Sequence, residues 1–157
     1  MREFAEAKSD EDYLVAVSLF EQYVASLPVD LSFQNFKKEI HLVKSVYALP
    51  VGGIILCKAE QNYVGCVGVR KITPVIGEIK RMYVLPAWQG KGIGNELLNH
   101  AISLARRCGY WSVRLDTLNN MHAAINLYLK NGFIPIDAYY ENPIPTAVYF
   151  EKKLKLR

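Results

Sequence analysis

At 157 residues, 51% of them hydrophobic and 22% charged, the chain has the make-up of one ordinary globular domain with a sizeable core. Its net charge of +4 is mild, and no interleaved run of basic and aromatic residues marks a nucleic-acid binder. No apolar run approaches the ~18 residues of a membrane span, and the acidic start Met1-Arg2-Glu3-Phe4-Ala5-Glu6-Ala7 lacks the apolar core of an export signal.

In chain order, residues 2–7 form a first strand with Phe4 inward. Ser9-Asp10-Glu11-Asp12 is a capping box in form, with Asp12 in the glutamate's place. It opens a helix whose apolar face is Tyr13, Leu14, Val17, Phe20, Val24 and Leu27, ended by Pro28. A second helix over residues 33–43 gathers Phe33, Phe36, Ile40 and Val43 on one face. Strands are expected at residues 54–59, 63–72 and 75–84, with a hairpin turn at Glu60-Gln61-Asn62, so three consecutive strands make an antiparallel meander. Gly65, Cys66 and Gly68 allow close packing on the second of these.

The strand 75–84 stops at Pro86, which cannot donate to a ladder. A helix follows with apolar residues at 97, 98, 101, 102, 104 and 105, closed by Arg106-Arg107-Cys108-Gly109. Residues 110–117 read as a buried strand carrying Trp111, Val113 and Leu115. Residues 121–131 read as a helix, 133–136 as a short strand, 141–145 as a turn-rich loop and 147–154 as a last strand. The basic end, Lys152-Lys153-Leu154-Lys155-Leu156-Arg157, reads as solvated surface. The order is an α/β one: a meander, then strand–helix–strand–helix–strand.

Gly90, Gly92 and Gly94 lie where the first helical amides point outward unpaired. Without side chains there an anion can approach, and the helix dipole and Lys91 favour negative charge. A diphosphate is the natural guest, and a mildly basic chain suits it. The spacing is not a P-loop, because Gly92 follows Lys91, nor a dinucleotide fingerprint.

The pattern Gln89-x-x-Gly92-x-Gly94, directly after Met82-Tyr83-Val84, resembles the coenzyme A pyrophosphate loop of the GCN5-related N-acetyltransferase (GNAT) family. Leu127-Tyr128-Leu129-Lys130-Asn131-Gly132-Phe133 is similar to that family's L-Y-x-x-x-G-F ending. The resemblance implies a single GNAT domain over residues 1–157. Its mixed, largely antiparallel sheet would be flanked by helices and splayed at the cofactor cleft. It implies acetyl-CoA as co-substrate, held by Gln89, Gly90, Lys91, Gly92, Ile93, Gly94 and Asn95, with main-chain contacts from Met82, Tyr83 and Val84. The first two helices would wall the acceptor pocket.

For the chemistry, the resemblance implies Glu78 as the base that takes the amine's proton and Tyr128 as the acid that protonates the leaving thiolate. Read from the residues alone, Glu78 is equally a strand glutamate paired with Lys80 or Arg70, and Tyr128 a core tyrosine beside Ile125 and Leu129. The family's asparagine seven residues before the tyrosine is Met121 here, with Asn120 and Asn126 as substitutes. Asp116 reads as a structural acid at a strand end. Tyr139, Tyr140 and Asn142 either line the acceptor pocket or pack a turn.

His41, His100 and His122 form no metal-binding pattern. Cys57, Cys66 and Cys108 are an odd number in no ligand spacing, which reads as reduced thiols in a cytoplasmic protein without a metal. No activated nucleophile is evident, so transfer is expected to be direct, from acetyl-CoA to a primary amine. A small-molecule amine is the first acceptor and a protein lysine or N-terminus the second. A non-catalytic acyl-CoA sensor is the rival, and exposed strand edges leave room for a homodimer.

Overall fold

Arg2–Glu6 forms β1; Gly53–Ala59, Asn62–Thr73 and Ile76–Val84 form β2, β3 and β4; Ser112–Leu118, Ile134–Ile136 and Ala147–Lys153 form β5, β6 and β7. The helices are α1 (Asp10–Ser26), α2 (Phe36–His41), α3 (Val43–Val46), α4 (Ile93–Arg107) and α5 (His122–Lys130). The structure, a computed structural model, describes residues 1–31 and 35–154. The strands make one sheet in the order β1-β2-β3-β4-β5-β7-β6, antiparallel except for β4 against β5.

Helices cover both faces of this sheet, so alternate residues of its central strands enter two cores. Ile55 and Cys57 join Leu97, Leu98, Ala101 and Leu104 of α4, whereas Ile54 and Leu56 meet Ala16 and Phe20 of α1 and Tyr47 beyond α3. A Cβ at Gly68 would stand 2.6 Å from the Tyr47 ring, so the missing side chain is what admits that ring.

The local signals behave as their chemistry dictates. Ser9 and Asp12 complete the capping box reciprocally. Glu60 and Gln61 carry φ of 51° and 71°, the two left-handed positions of a type I′ hairpin, which leaves Asn62 inside β3.

Three expectations change. The buried side of α1 is Tyr13, Ala16, Leu19 and Phe20, because the helix packs through small Ala16, and Leu14 is turned outward at 70% exposure. Trp111 precedes β5 and is 58% exposed. Its backbone is bonded to Val75 and Leu154, but the ring is not in the core. The second helix is divided at Leu42 into α2 and α3; its expected beginning at Phe33 and the end of the basic tail, 155–157, lie outside the described residues.

The feature that shapes the site is in β4. Lys80 pairs with Gly68 and Tyr83 with Cys66, so Arg81 and Met82 together oppose Val67 alone. This is a bulge, and Arg81 takes φ of 59° to make it. A bulged strand bends. β4 pairs with β5 only through Ile76–Ser112, Gly77–Val113 and Glu78–Arg114, and then the two part. β5 stays paired with β7 as far as Leu118, so β4 is the strand that departs.

The bulge is held by Glu39 of α2. Arg81 Nη2 donates to Glu39 Oε1 at 2.8 Å and Nε to Oε2 at 3.2 Å, with both residues about 95% buried or more. Tyr47 OH donates to the same carboxylate at 2.7 Å. Burial pushes the Glu39 carboxyl upward, but the Arg81 hydrogen bonds and charge, with Tyr47 and Arg70, outweigh it and hold the group below its usual 4.5.

A carboxyl so lowered contributes stability that is fully present above the unfolded value and lost as pH falls through the folded one. Chemical denaturation should therefore show the fold weakening as pH drops below about 4.5. Glu39→Gln leaves Arg81 buried beside a neutral partner and should cost about 3 kcal/mol at pH 7. It should also flatten the part of the acid loss that Glu39 causes.

Candidate active site

The glycine loop begins where β4 ends. Pro86–Trp88 forms a single 3₁₀ turn, and Gln89 Nε2 donates back to Val84 O at 2.9 Å, which pins the loop to the strand. Gly90 and Gly92 have φ of 77° and 86°, and Gly92 is the N-cap of α4. The first helical bond runs from Glu96 N to Gly92 O at 3.2 Å. The amides of Ile93, Gly94 and Asn95 thus have no helical partner, at the positive end of a 15-residue helix.

This loop walls a cleft of 680 Å³. Met82, Tyr83, Val84, Gln89, Gly90, Gly92, Ile93, Gly94 and Asn95 all line it. Lys91 does not: its residue is turned to the surface, and its carbonyl accepts from Arg2 Nη2 at 2.6 Å. Arg2 Nη1 also meets Glu96 Oε1 at 2.5 Å, so β1 braces the loop from outside. Across the cleft stand Asn120, Met121, His122 and Leu127, and Tyr23 reaches it from α1. Of the two asparagines that could replace one at Met121, Asn120 lines the cleft.

Where β4 and β5 part there is a second, small cavity of about 50 Å³. It shares Tyr23, Met82 and Met121 with the cleft, and Lys80, Asp116, Thr117 and Tyr128 also line it. Apolar residues from beyond α1, Leu27, Val29 and Leu31, cover one side; Asn142, Ile144 and Ala147 cover another. Tyr128 is brought there by α5. Burial pushes its phenol well above the ordinary range, so it holds its proton.

Glu78 lies elsewhere. It is only 3% exposed and lines a third space of 510 Å³, with Arg70, Lys71, Lys80, Tyr139 and Tyr140. Both its oxygens are engaged: Arg70 Nε donates to Oε1 at 2.9 Å, and Tyr139 OH to Oε2 at 2.6 Å. The pairing with Arg70 is the cross-strand one, since the two residues are register partners.

Asp116 accepts from Tyr140 OH, and Tyr140 is in turn held by Asn142 Nδ2 at 3.1 Å. Lys80 Nζ stands 3.7 Å from Asp116 Oδ1 and 4.0 Å from Glu78 Oε2. Burial pulls the Lys80 ammonium below its ordinary 10.5, opposed by the two acids. Tyr139 and Tyr140 move the other way, pushed far up by burial and by the carboxylates they serve.

Sequence reasoning did not single out Lys80, Tyr23, Trp88 or His122 as site residues, and it placed Asp116 as a structural acid. The signal for Asp116 was an acid between the buried residues Leu115 and Thr117 of β5; β4 gave less, because its buried stretch holds Glu78 and Arg81 beside Lys80.

The sequence pattern of the Acetyltransferase (GNAT) family matches residues 16–133. An uncharacterised N-acetyltransferase of Schizosaccharomyces pombe is 34% identical over 138 residues, covering 87% of this chain and 85% of its own. An acetyltransferase of the GNAT family from Staphylococcus aureus superposes with a TM-score of 0.80 at 17% identity, covering 99% of this chain and 100% of that one. The PaiA N-acetyltransferase of Thermoplasma acidophilum, solved in complex with coenzyme A, gives 0.71 at 20% identity, over 98% and 99% of the two chains. With a family match across most of its length and a relative of that identity, the chain belongs to the GNAT family of N-acetyltransferases.

Proposed function

We propose that the chain moves an acetyl group from acetyl-CoA directly to the primary amine of a small molecule. The observation that carries this is the parting of β4 and β5, which sets the inner cavity, with Met82, Asp116 and Tyr128, against the glycine-loop cleft. The diphosphate lies on the free amides of 93–95, and the thioester reaches Met82. Beyond Glu78 the edge of β4 that faced β5 has no ladder, so its backbone groups are open to the pantetheine arm and to the carbonyl oxygen as it becomes anionic. The coenzyme A complex of the Thermoplasma relative, which shares this fold, supports the choice of cofactor.

The acceptor's amine enters the inner cavity, whose 50 Å³ admits little more than an aminomethyl end. Its body lies in the outer space, where Arg70, Lys71 and the Tyr139–Tyr140 pair suit an anionic or aromatic group and Glu78 meets the amine's charge on the way in. The amine nitrogen attacks the thioester carbon, the carbon–sulfur bond breaks, and the leaving sulfur takes the Tyr128 proton. None of the three cysteines lines the cleft or the inner cavity, and burial raises all three thiols, which supports transfer without an acyl-enzyme.

Thiol release from acetyl-CoA with a panel of small amines and lysine peptides tests this. Turnover only on peptides would move the acceptor to proteins, and tight binding without turnover on any amine would make the chain a sensor. Gly92→Ala must either hold a left-handed alanine, at roughly 1–2 kcal/mol, or let the loop relax. Calorimetry should therefore show coenzyme A affinity falling about tenfold. Tyr128→Phe should lower kcat about 100-fold while leaving acetyl-CoA affinity within about twofold; loss of affinity instead would give Tyr128 a packing role. Glu78→Gln should raise the acceptor's KM more than it lowers kcat.

A further inference from the structure

Two carboxylates flank the parted strands, and among the described residues Asp116 is the one acid that lines the inner cavity. Glu78 lines the outer space and neither the inner cavity nor the cleft. Its Oε1 is bonded to Arg70 and its Oε2 to Tyr139, and its side chain is 4% exposed. Asp116 lines the inner cavity with Met82 and Tyr128, and its side chain is 13% exposed. Tyr140 fixes its Oδ2 through a hydrogen bond, and Oδ1 is turned toward Lys80 at 3.7 Å, longer than a hydrogen bond.

From this we infer that Asp116, not Glu78, accepts the proton of the acceptor amine. This rests on the acetyl-transfer reading above and names the base of that same site.

The bonds balance as follows. The ammonium enters the cavity beside Asp116 and gives one proton to Oδ1. The freed lone pair forms the nitrogen–carbon bond at the thioester carbonyl, and a second nitrogen proton passes to solvent as the tetrahedral adduct collapses. The carbon–sulfur electrons depart on sulfur, which takes the Tyr128 proton. The products are the amide and the coenzyme A thiol, and solvent restores both side chains.

Among the described residues, the groups that face Asp116 are Lys80 from β4, Tyr23 from α1, Tyr128 from α5, Tyr149 from β7, and Tyr139 and Tyr140 from the 137–146 loop. Lys80 apart, these neighbours are phenols. Tyr23, Tyr128, Tyr139 and Tyr140 are raised to about 12 or beyond, so over neutral pH none of those four titrates against it.

The experiment begins with the natural chain and an amine from the panel that it acetylates. If no amine is acetylated, the acetyl-transfer reading itself fails. With an active pair in hand, Asp116→Asn should lower kcat at least 100-fold and flatten its rise with pH, with acetyl-CoA affinity unchanged. Asp116→Ala should regain at least tenfold in rate from added sodium formate, and Tyr128→Phe should regain nothing. A folded Asp116→Asn enzyme that keeps a third or more of kcat with its pH rise intact overturns the inference, as does transfer of the flattened profile to Glu78→Gln. If circular dichroism shows that neither neutral variant folds, Asp116→Glu decides: a base displaced by one methylene should lose more than tenfold in kcat with acetyl-CoA affinity retained, and an unchanged kcat sinks the idea.

Discussion

One arginine in a left-handed backbone conformation sets the geometry of this active site. Arg81 is neither glycine nor asparagine, and holding it at a φ of 59° costs about 1–2 kcal/mol. Its guanidinium is also buried. Both penalties are met by Glu39, which takes two hydrogen bonds from it and one from Tyr47. The bulge and α2 therefore depend on each other: the helix supplies the carboxylate, and the bent strand supplies the cation that donates two hydrogen bonds to it. Everything that follows, the open ladder edge and the inner cavity, is a consequence of β4 bending at that point.

Around this pair runs a row of alternating charges: Arg81, Glu39, Arg70, Glu78, Lys80 and Asp116, three bases and three acids. Such a row is stable only as a unit, because removing one member strands another in a low dielectric. Arg70 spans two of its acids, 2.9 Å from Glu78 and 3.8 Å from Glu39. The row thus ties the bulge to the outer space lined by Arg70, Glu78 and Lys80. At its far end, consecutive tyrosines of one loop serve one carboxylate on each of the two parted strands, Tyr139 on β4 and Tyr140 on β5. The gap is bridged by side chains exactly where the backbone stops bridging it.

How much of this could be read in the chain followed from the range of each interaction. The glycine loop was legible because helix capping and left-handed glycines are local, and so were the Ser9–Asp12 box and the Glu60–Gln61 turn. The partner of Glu78 was legible as one of two, Lys80 or Arg70, and the hairpin register that sets Arg70 opposite it decides between them. The bulge was not. Arg81 sits in an unbroken strand pattern, and its partner Glu39 is 42 residues away on a short helix whose beginning shows no side-chain cap. Leu14 and Trp111 misled for a related reason: hydrophobicity fixes which residues would profit from burial, but small Ala16 and the point where β5 starts decide which ones obtain it.

Asp116 was the least legible residue of the site, and the reason bears on its role. In sequence it is one acid near the end of a strand, and its neighbours at 115 and 117 are core residues. Only the parallel placing of β5 beside β4 turns it toward Lys80, and only the departure of β4 opens room in front of it. Had the strands stayed paired beyond Glu78 and Arg114, the ladder would have closed over the space between them, and Asp116 would be one more member of a sealed charge row. A base that must meet a diffusing amine needs a carboxylate held from behind and open in front. Tyr140 and Asn142 provide the first, and the bend at Arg81 provides the second, so in the proposed reaction the same backbone distortion serves the thioester on one side and the acceptor on the other.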